Sequence, residues 1–216
     1  MRPPRFLWVP FELGRPFGAP GDAAFQTKVL RALLALLARD DGPVVLADFP
    51  EDAPDGPEDD GTGWACPINL PKPEAAAEPA MLEETLREIA RLAPWYAYAR
   101  EARGRSTFGV TGLEIEGVAR FLHAFFDGAP ENPVAAVSLG EALRLACEDL
   151  RSWHLEAAAA RPGAGSRALA DWFWGETAAG RMLLALQPVC AKSDDAGVRH
   201  VALSQFVPRS QRHRQA

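Results

Sequence analysis

Apolar residues recur at three- and four-residue spacing from about Ser166 to Lys192, and no other feature of the sequence constrains the fold as much. In an α-helix this spacing places the residues on one face, so the run predicts a single long helix with one side in a core. Glu176 falls on the same predicted face. The other members of that face are Leu169, Trp172, Phe173, Gly180, Leu183, Leu184 and Gln187.

The carboxylate of Glu176 is the most unusual group on this face. A carboxylate in an apolar core has to be paired, hydrogen-bonded or protonated, because burying a lone charge is costly. One interpretation makes Glu176 a proton handler, or the charged partner of a ligand in a tryptophan-lined pocket. The other makes it a buried salt bridge with Arg144, Arg151 or Arg181. The candidate pocket residues are Trp64, Asp171, Trp172, Trp174 and Glu176.

Helical periodicity continues through most of the chain and predicts a mainly α protein. We expect a helical bundle with an irregular Pro/Gly-rich N-terminal arm and at most one or two short strands. Asp22 is a candidate N-cap, and Thr111 and Ser138 each precede a glutamate by three residues, as in a capping box. Pro94 is expected to end one helix and begin another. The apolar run 44–49 predicts one strand.

Composition divides the chain into three segments. Residues 1–49 contain the arm, one helix and the short strand, residues 50–78 form an acidic proline-rich loop, and residues 79–216 carry the helical bundle. A structureless loop of that length is uncommon within a compact domain, so the loop is the best candidate boundary. All three segments could also belong to one domain.

Charge and hydropathy exclude several classes of function. A net charge of −6 with a sequence pI near 5.3 argues against a nucleic-acid surface. No apolar stretch approaches the roughly 20 residues of a membrane-spanning helix, and the proline-broken N-terminus does not look like a signal peptide. We therefore expect a cytoplasmic protein with no nucleic-acid or membrane partner. The basic run 209–214 is expected to be a solvated, frayed terminus.

The three cysteines and the histidines of the predicted helices offer few candidates for a nucleophile or a metal ligand. Cys66 is a weak candidate nucleophile or redox thiol, because no base or cation adjoins it in sequence. Cys147 and Cys190 are interpreted as small core residues. His123 and His154 lack the spacing of a di-iron bundle, and no Cys/His pair has zinc-like spacing, so no metal is predicted and the cofactor is left open.

Residues 10–37 run from Pro10 through a glycine- and proline-rich loop and Asp22 into an amphipathic helix. This segment resembles the C-terminal segment of the selenoprotein B subunits of glycine, sarcosine, betaine and D-proline reductases. Members of that family cleave C–N bonds reductively with a selenocysteine or cysteine in a short redox motif. This chain has no such motif, so the resemblance implies a companion chain that packs on a larger reductase-like subunit.

Two hypotheses of different class follow. In the first, the chain is an assisting or non-catalytic subunit of an oxidoreductase complex and docks through Trp8, Phe11, Leu13 and Phe17. In the second, the chain is a stand-alone enzyme or small-molecule binder, with Glu176 and Cys66 as weak catalytic candidates. Whether the chain itself is an enzyme is left open.

Overall fold

The computed structural model describes residues 4–11, 16–18, 21–42, 44–51, 53, 78–160 and 165–214. The chain divides into two compact units, Met1–Asp60 and Gly61–Ala216. Seven α-helices and two short parallel strands lie within the described ranges, which confirms the predicted mainly α class. No helix in these ranges combines the length and the apolar character needed to cross a bilayer.

The first unit is a strand–helix–strand module. Strand β1 (Arg5–Trp8) pairs in parallel with strand β2 (Val45–Asp48), and helix α1 (Ala23–Ala35) lies between them in sequence. Strand β2 confirms the strand predicted at 44–49. Strand β1 is the second of the one or two short strands that the fold prediction allowed, and it lies within the arm: its four residues pair with β2, from Arg5 opposite Val45 to Trp8 opposite Asp48.

Polar contacts fix both ends of the α1 segment. The Asp22 carboxylate accepts a hydrogen bond from the Phe25 amide at 3.0 Å, which confirms the predicted N-cap. After α1, a 3₁₀ turn covers Leu36–Ala38, and the Arg5 guanidinium donates to the Leu36 carbonyl at 2.8 Å. A cation at this end complements the exposed carbonyls, so Arg5 ties β1 to the end of the helical segment.

The second unit is a helical bundle around one apolar core. Its helices are α2 (Glu78–Arg103), α3 (Ile115–His123), α4 (Leu139–Ala158), α5 (Ser166–Glu176), α6 (Ala178–Cys190) and α7 (Ala196–Ser204), with 3₁₀ turns at Ala124–Asp127 and Arg209–Arg214. Its largest fully buried side chains include Phe173, Phe206, Ile89, Leu92 and Leu122.

Helix α2 continues through Pro94, so the predicted break at that residue is wrong. Proline removes one helical hydrogen bond and usually kinks or breaks a helix. Here Pro94 lies on the exposed side, while Ile89, Leu92 and Ala99 are buried on the core side. Core packing before and after Pro94 in sequence offsets the free energy lost with the missing hydrogen bond, so the helix continues through the proline.

The capping predictions had different outcomes. Ser138 accepts a hydrogen bond from the Glu141 amide at 3.2 Å and caps α4 as predicted. The N-cap of α3 is Glu114, with no side-chain capping bond, so the capping box predicted from Thr111 is wrong. The Thr111 hydroxyl instead donates to the buried carboxylate of Asp149 at 2.6 Å, a contact that spacing along the sequence does not reveal.

The predicted long helix over 166–192 is broken at Thr177, where α5 ends and α6 begins. The Thr177 hydroxyl accepts a hydrogen bond from the Gly180 amide at 2.9 Å and donates to the Phe173 carbonyl at 2.6 Å. A β-carbon on Gly180 would lie 2.0 Å from that carbonyl oxygen, so only glycine fits this corner. The break changes the direction of the chain after Glu176.

Helices α4 and α7 approach closely at Gly140 and Gly197. A β-carbon on Gly140 would lie 2.4 Å from the backbone carbonyl carbon of Gly197. Because backbone atoms cannot move aside as a flexible side chain can, any larger residue at position 140 pushes the two helices apart.

We predict that Gly140→Ala destabilises the protein by about 2 kcal/mol through overpacking. Gly117→Ala is the matched control, since its β-carbon would meet only the Leu113 β-carbon, at an ordinary 3.8 Å. That change should raise the stability by up to about 1 kcal/mol because alanine favours helix. Urea unfolding of both variants checks the prediction, and equal midpoints would contradict it.

Candidate functional site

Glu176 lies on the surface, so the prediction that it is buried in the core is wrong. The break at Thr177 accounts for the difference, because one continuous helix would have kept Glu176 in line with the buried residues of α6. Two of the predicted salt-bridge partners bind elsewhere: Arg144 pairs with Glu141 and Glu148, and Arg181 pairs with Glu84.

The aromatic residues around Glu176 belong to the core. Trp172 and Trp174 are each 2% exposed, and Phe173 is fully buried between them in sequence. Asp171 accepts a hydrogen bond from the Gln211 side chain at 2.8 Å and pairs with Arg214 at 3.4 Å. These residues pack the bundle, and no observation on the described residues favours a ligand pocket among them.

The contacts of Asp171 also overturn the prediction of a frayed basic terminus. Residues Arg209–Arg214 form a 3₁₀ turn, and Gln211 is 3% exposed. Residues 209–214 carry the partners of Asp171, which lies 40 positions earlier in the chain, and local sequence cannot show that pairing.

The predicted docking residues have different environments. Phe11 lies in an aromatic cluster with Phe25 and Phe49, at centroid distances of 5.4 and 5.7 Å, so it packs within the first unit. Trp8 and Phe17 are each 39% exposed. The predictions on Leu13, Trp64 and Cys66 lie outside the described residues.

Helix α1 and the turn that follows it carry exposed leucines on one side. We call Leu30, Leu33, Leu34 and Leu37 the leucine face; they are 42%, 40%, 59% and 68% exposed. Their i, i+3, i+4, i+7 spacing is that of one helical side. Val29 and Leu36, which are 2% and 5% exposed, mark the buried side, and the leucine face lies next to it around the helix. The apolar surface of this helix is therefore wider than the part that the first unit buries.

The two-stranded sheet exposes a second apolar surface. Side chains alternate along a strand, so the register places Phe6, Trp8, Leu46 and Asp48 on one side, which we call the sheet face. Phe6 is 46% and Leu46 is 67% exposed, while Val45 on the other side is 3% exposed. The leucine face and the sheet face are the two candidate binding surfaces of the first unit.

The second unit places a buried carboxylate at the start of α6. Glu88 of α2 is 6% exposed and accepts hydrogen bonds from the backbone amides of Ala178, at 2.7 Å, and Ala179, at 3.0 Å. The first amides of a helix have no partners within the helix, and the helix dipole favours a negative charge there. Glu88 thus closes the α5–α6 corner from a neighbouring helix.

His154 of α4 lies beside this carboxylate and is fully buried. Its Nδ1 is 2.7 Å from the Leu150 carbonyl oxygen, and because a carbonyl only accepts, Nδ1 carries a proton. Its Nε2 lies 3.2 Å from Oε1 of Glu88, within ion-pair distance but without hydrogen-bond geometry.

Sequence reasoning missed Glu88 as a buried acid. The available signal was its place on α2 beside Ile89 and three residues after Thr85, both of which are buried. The Glu88–His154 pair lies beneath the surface, and its contacts give it the role of stabilising the bundle.

Two further carboxylates of α4 hold the loop before α3. Asp149 is fully buried and accepts hydrogen bonds from the amides of Gly109, Val110 and Thr111 at 2.7 to 3.0 Å. Glu156 accepts from the Ser106 hydroxyl at 2.8 Å and from the amide and hydroxyl of Thr107 at 2.7 Å. The loop from Gly104 to Leu113 is consequently fixed to α4 along its length.

Cys147 and Cys190 are buried, as predicted. They are 6% and 1% exposed. Burial raises the pKa of the Cys147 thiol well above its usual range and raises that of Cys190 to about 12. Across the described residues, no group of three or more histidine, cysteine or acidic side chains could hold a metal ion.

Comparison with known protein families, with curated proteins and with solved structures found no match. The resemblance of residues 10–37 to the reductase subunits therefore stays a prediction.

We predict that Glu88→Gln destabilises the protein by about 2–4 kcal/mol, because an NH₂ group replaces one of the two carboxylate oxygens that accept from the α6 amides, and the buried amide opposite it loses its acceptor. Glu84→Gln on the same helix is the control. Glu84 is 27% exposed and pairs with Arg181 at 3.0 Å, so its loss should cost below about 1 kcal/mol. Urea unfolding measures both, and equal losses would refute the assignment.

We also predict that Cys147 and Cys190 resist alkylation in the folded protein. Thiolate is the reactive form, and the raised pKa values leave almost none at neutral pH. For Cys190 the rate should rise only as the pH approaches about 12. Iodoacetamide labelling followed by peptide mass spectrometry, with a urea-unfolded control, checks this. Labelling of either residue at the unfolded rate would disprove it.

Proposed function

We propose that this chain is a companion subunit of a larger reductase-like complex and that it docks through its first unit. The observation that carries the proposal is the leucine face, Leu30, Leu33, Leu34 and Leu37, which stays exposed although the neighbouring residues Val29 and Leu36 already supply the buried side of the helix.

The leucine face is large and continuous for a unit of this size. Burying one leucine side chain stabilises a protein by about 1.5–3 kcal/mol, so four exposed leucines on one helical side represent a substantial unused driving force. Scattered exposed apolar residues are normal on protein surfaces, whereas contiguous patches mark interaction sites. The exposures of Leu34 and Leu37, 59% and 68%, are the highest of the four.

The sheet supports the same conclusion independently. Parallel sheets normally have both faces covered, and two strands alone are marginally stable in water. Here Phe6 and Leu46 lie opposite each other on the exposed side, and β1 and β2 form a sheet of two strands within the described residues. A partner that covers this side would complete the layering that parallel strands usually have.

The class of the partner comes from the resemblance of residues 10–37 to the selenoprotein B subunits. That segment includes Phe11 and Phe25 of the aromatic cluster and the whole leucine face. The redox motif of such enzymes, absent from this chain, would belong to the larger subunit. The companion would then position or stabilise that subunit and carry out no C–N cleavage itself.

The test is mild co-purification of the tagged full-length chain from its native host, followed by mass spectrometry and a reductase assay. We expect a stoichiometric larger chain that carries a cysteine- or selenocysteine-containing redox motif. A monomeric chain with no stoichiometric partner would overturn the companion role. A partner without a redox motif would overturn the reductase assignment.

We predict that Leu34→Glu combined with Leu37→Glu abolishes this co-purification, since two buried charges in an apolar contact cannot be solvated. Both side chains are exposed, so the fold should be retained, and circular dichroism checks this. Leu203→Glu in α7 is the control, because Leu203 is 64% exposed in the other unit. Loss of the partner in all the variants, or in none, would contradict docking through the leucine face.

A further inference from the structure

We propose that a groove at the C-terminal end of α2 binds a small organic anion, a carboxylate or phosphate monoester with a compact apolar body. The groove has a volume of about 490 Å³, within the range of small-molecule sites. All of its lining residues belong to the second unit, so this proposal does not rest on docking through the first unit. Its lining residues are Tyr96, Ala97, Arg100, Glu101, Gly104, Arg105 and Ser106.

Contacts with other residues of the second unit hold the side chains that form the walls of the groove. The Tyr96 ring stacks on Trp153 with centroids 5.1 Å apart, and its hydroxyl lies 2.9 Å from the Ser106 hydroxyl oxygen. Ser106 donates its own proton to Glu156 at 2.8 Å, so Tyr96 is the donor to Ser106. A site whose walls are already fixed loses little conformational entropy when a ligand binds.

Two guanidinium groups in the groove have no internal partner. The side chains of Arg100 and Arg105 are exposed, and neither makes a hydrogen bond or ion pair with another described residue. Arg103, between them, donates to the Ala159 carbonyl at 3.0 Å and does not line the groove. Glu101 adds one carboxylate, so the lining has a net positive charge. Arginine suits carboxylate and phosphate because its planar fork can bind two oxygens at once.

The helix dipole gives the competing explanation for these arginines. Basic side chains in the last turn of a helix complement its carbonyl end, and Arg100 and Arg103 fit that pattern. Arg105 lies beyond the helix end, in the loop that Glu156 fixes, so the dipole alone does not account for its place beside Arg100. Tyr96 and Ala97 provide the apolar wall against which the body of the ligand would pack.

The experiment titrates the full-length protein with benzoate and with inorganic phosphate, and follows backbone amide resonances by NMR. Benzyl alcohol is the uncharged counterpart of benzoate. We expect saturable shifts at Ala97, Gly104 and Ser106 with both anions, much smaller shifts with benzyl alcohol, and weaker binding at high salt because exposed charges are screened.

Arg100→Gln and Arg105→Gln should each weaken benzoate binding about tenfold, the loss expected for one charge-assisted contact. Arg91→Gln removes the same charge from an exposed position of α2 outside the groove and should leave binding unchanged. Non-saturable shifts, an equal effect of Arg91→Gln, or full binding by both groove variants would overturn the proposal.

Discussion

The structure of the second unit depends on the contact between Glu88 and the start of α6. Two backbone amides that begin this helix have no intrahelical acceptor, and a carboxylate from α2 accepts both of their hydrogen bonds while itself being almost fully buried. This one side chain makes a sharp corner possible at Thr177. The corner lets α5 and α6 pack on different neighbours and sends Glu176 outward.

Two other carboxylates of the bundle also accept hydrogen bonds from backbone amides of a segment that is distant in sequence. Asp149 and Glu156 of α4 bind the amides and hydroxyls of the loop that leads into α3, as Glu88 binds the amides of α6. In each case a buried or partly buried carboxylate is compensated by several donors, which is the condition under which such a group can be buried. Glu88, Asp149 and Glu156 therefore connect parts of the bundle that are distant in sequence.

The two units differ in how they use apolar residues. In the second unit Trp172, Phe173 and Trp174 are buried, as are Cys147 and Cys190, although Trp95, Tyr98, Val110 and Leu203 are exposed. In the first unit, leucines lie exposed on one side of α1 and aromatic residues on one side of the sheet. This difference favours the proposal that the first unit contacts a partner protein, while the second unit is a helical bundle that carries the groove.

The sequence by itself determined the mainly α class, strand β2, the caps at Asp22 and Ser138, and the burial of Cys147 and Cys190. These follow from local periodicity and from side chains that bond to amides a few positions away. Only the tertiary structure decided that α2 passes through Pro94, that the 166–192 run breaks at Thr177, and that Asp171 is held by residues 211 and 214. Each of those outcomes rests on packing or hydrogen bonds between residues distant in sequence, such as Glu88 with Ala178, and the strength of such contacts exceeds the local preferences that a sequence pattern records.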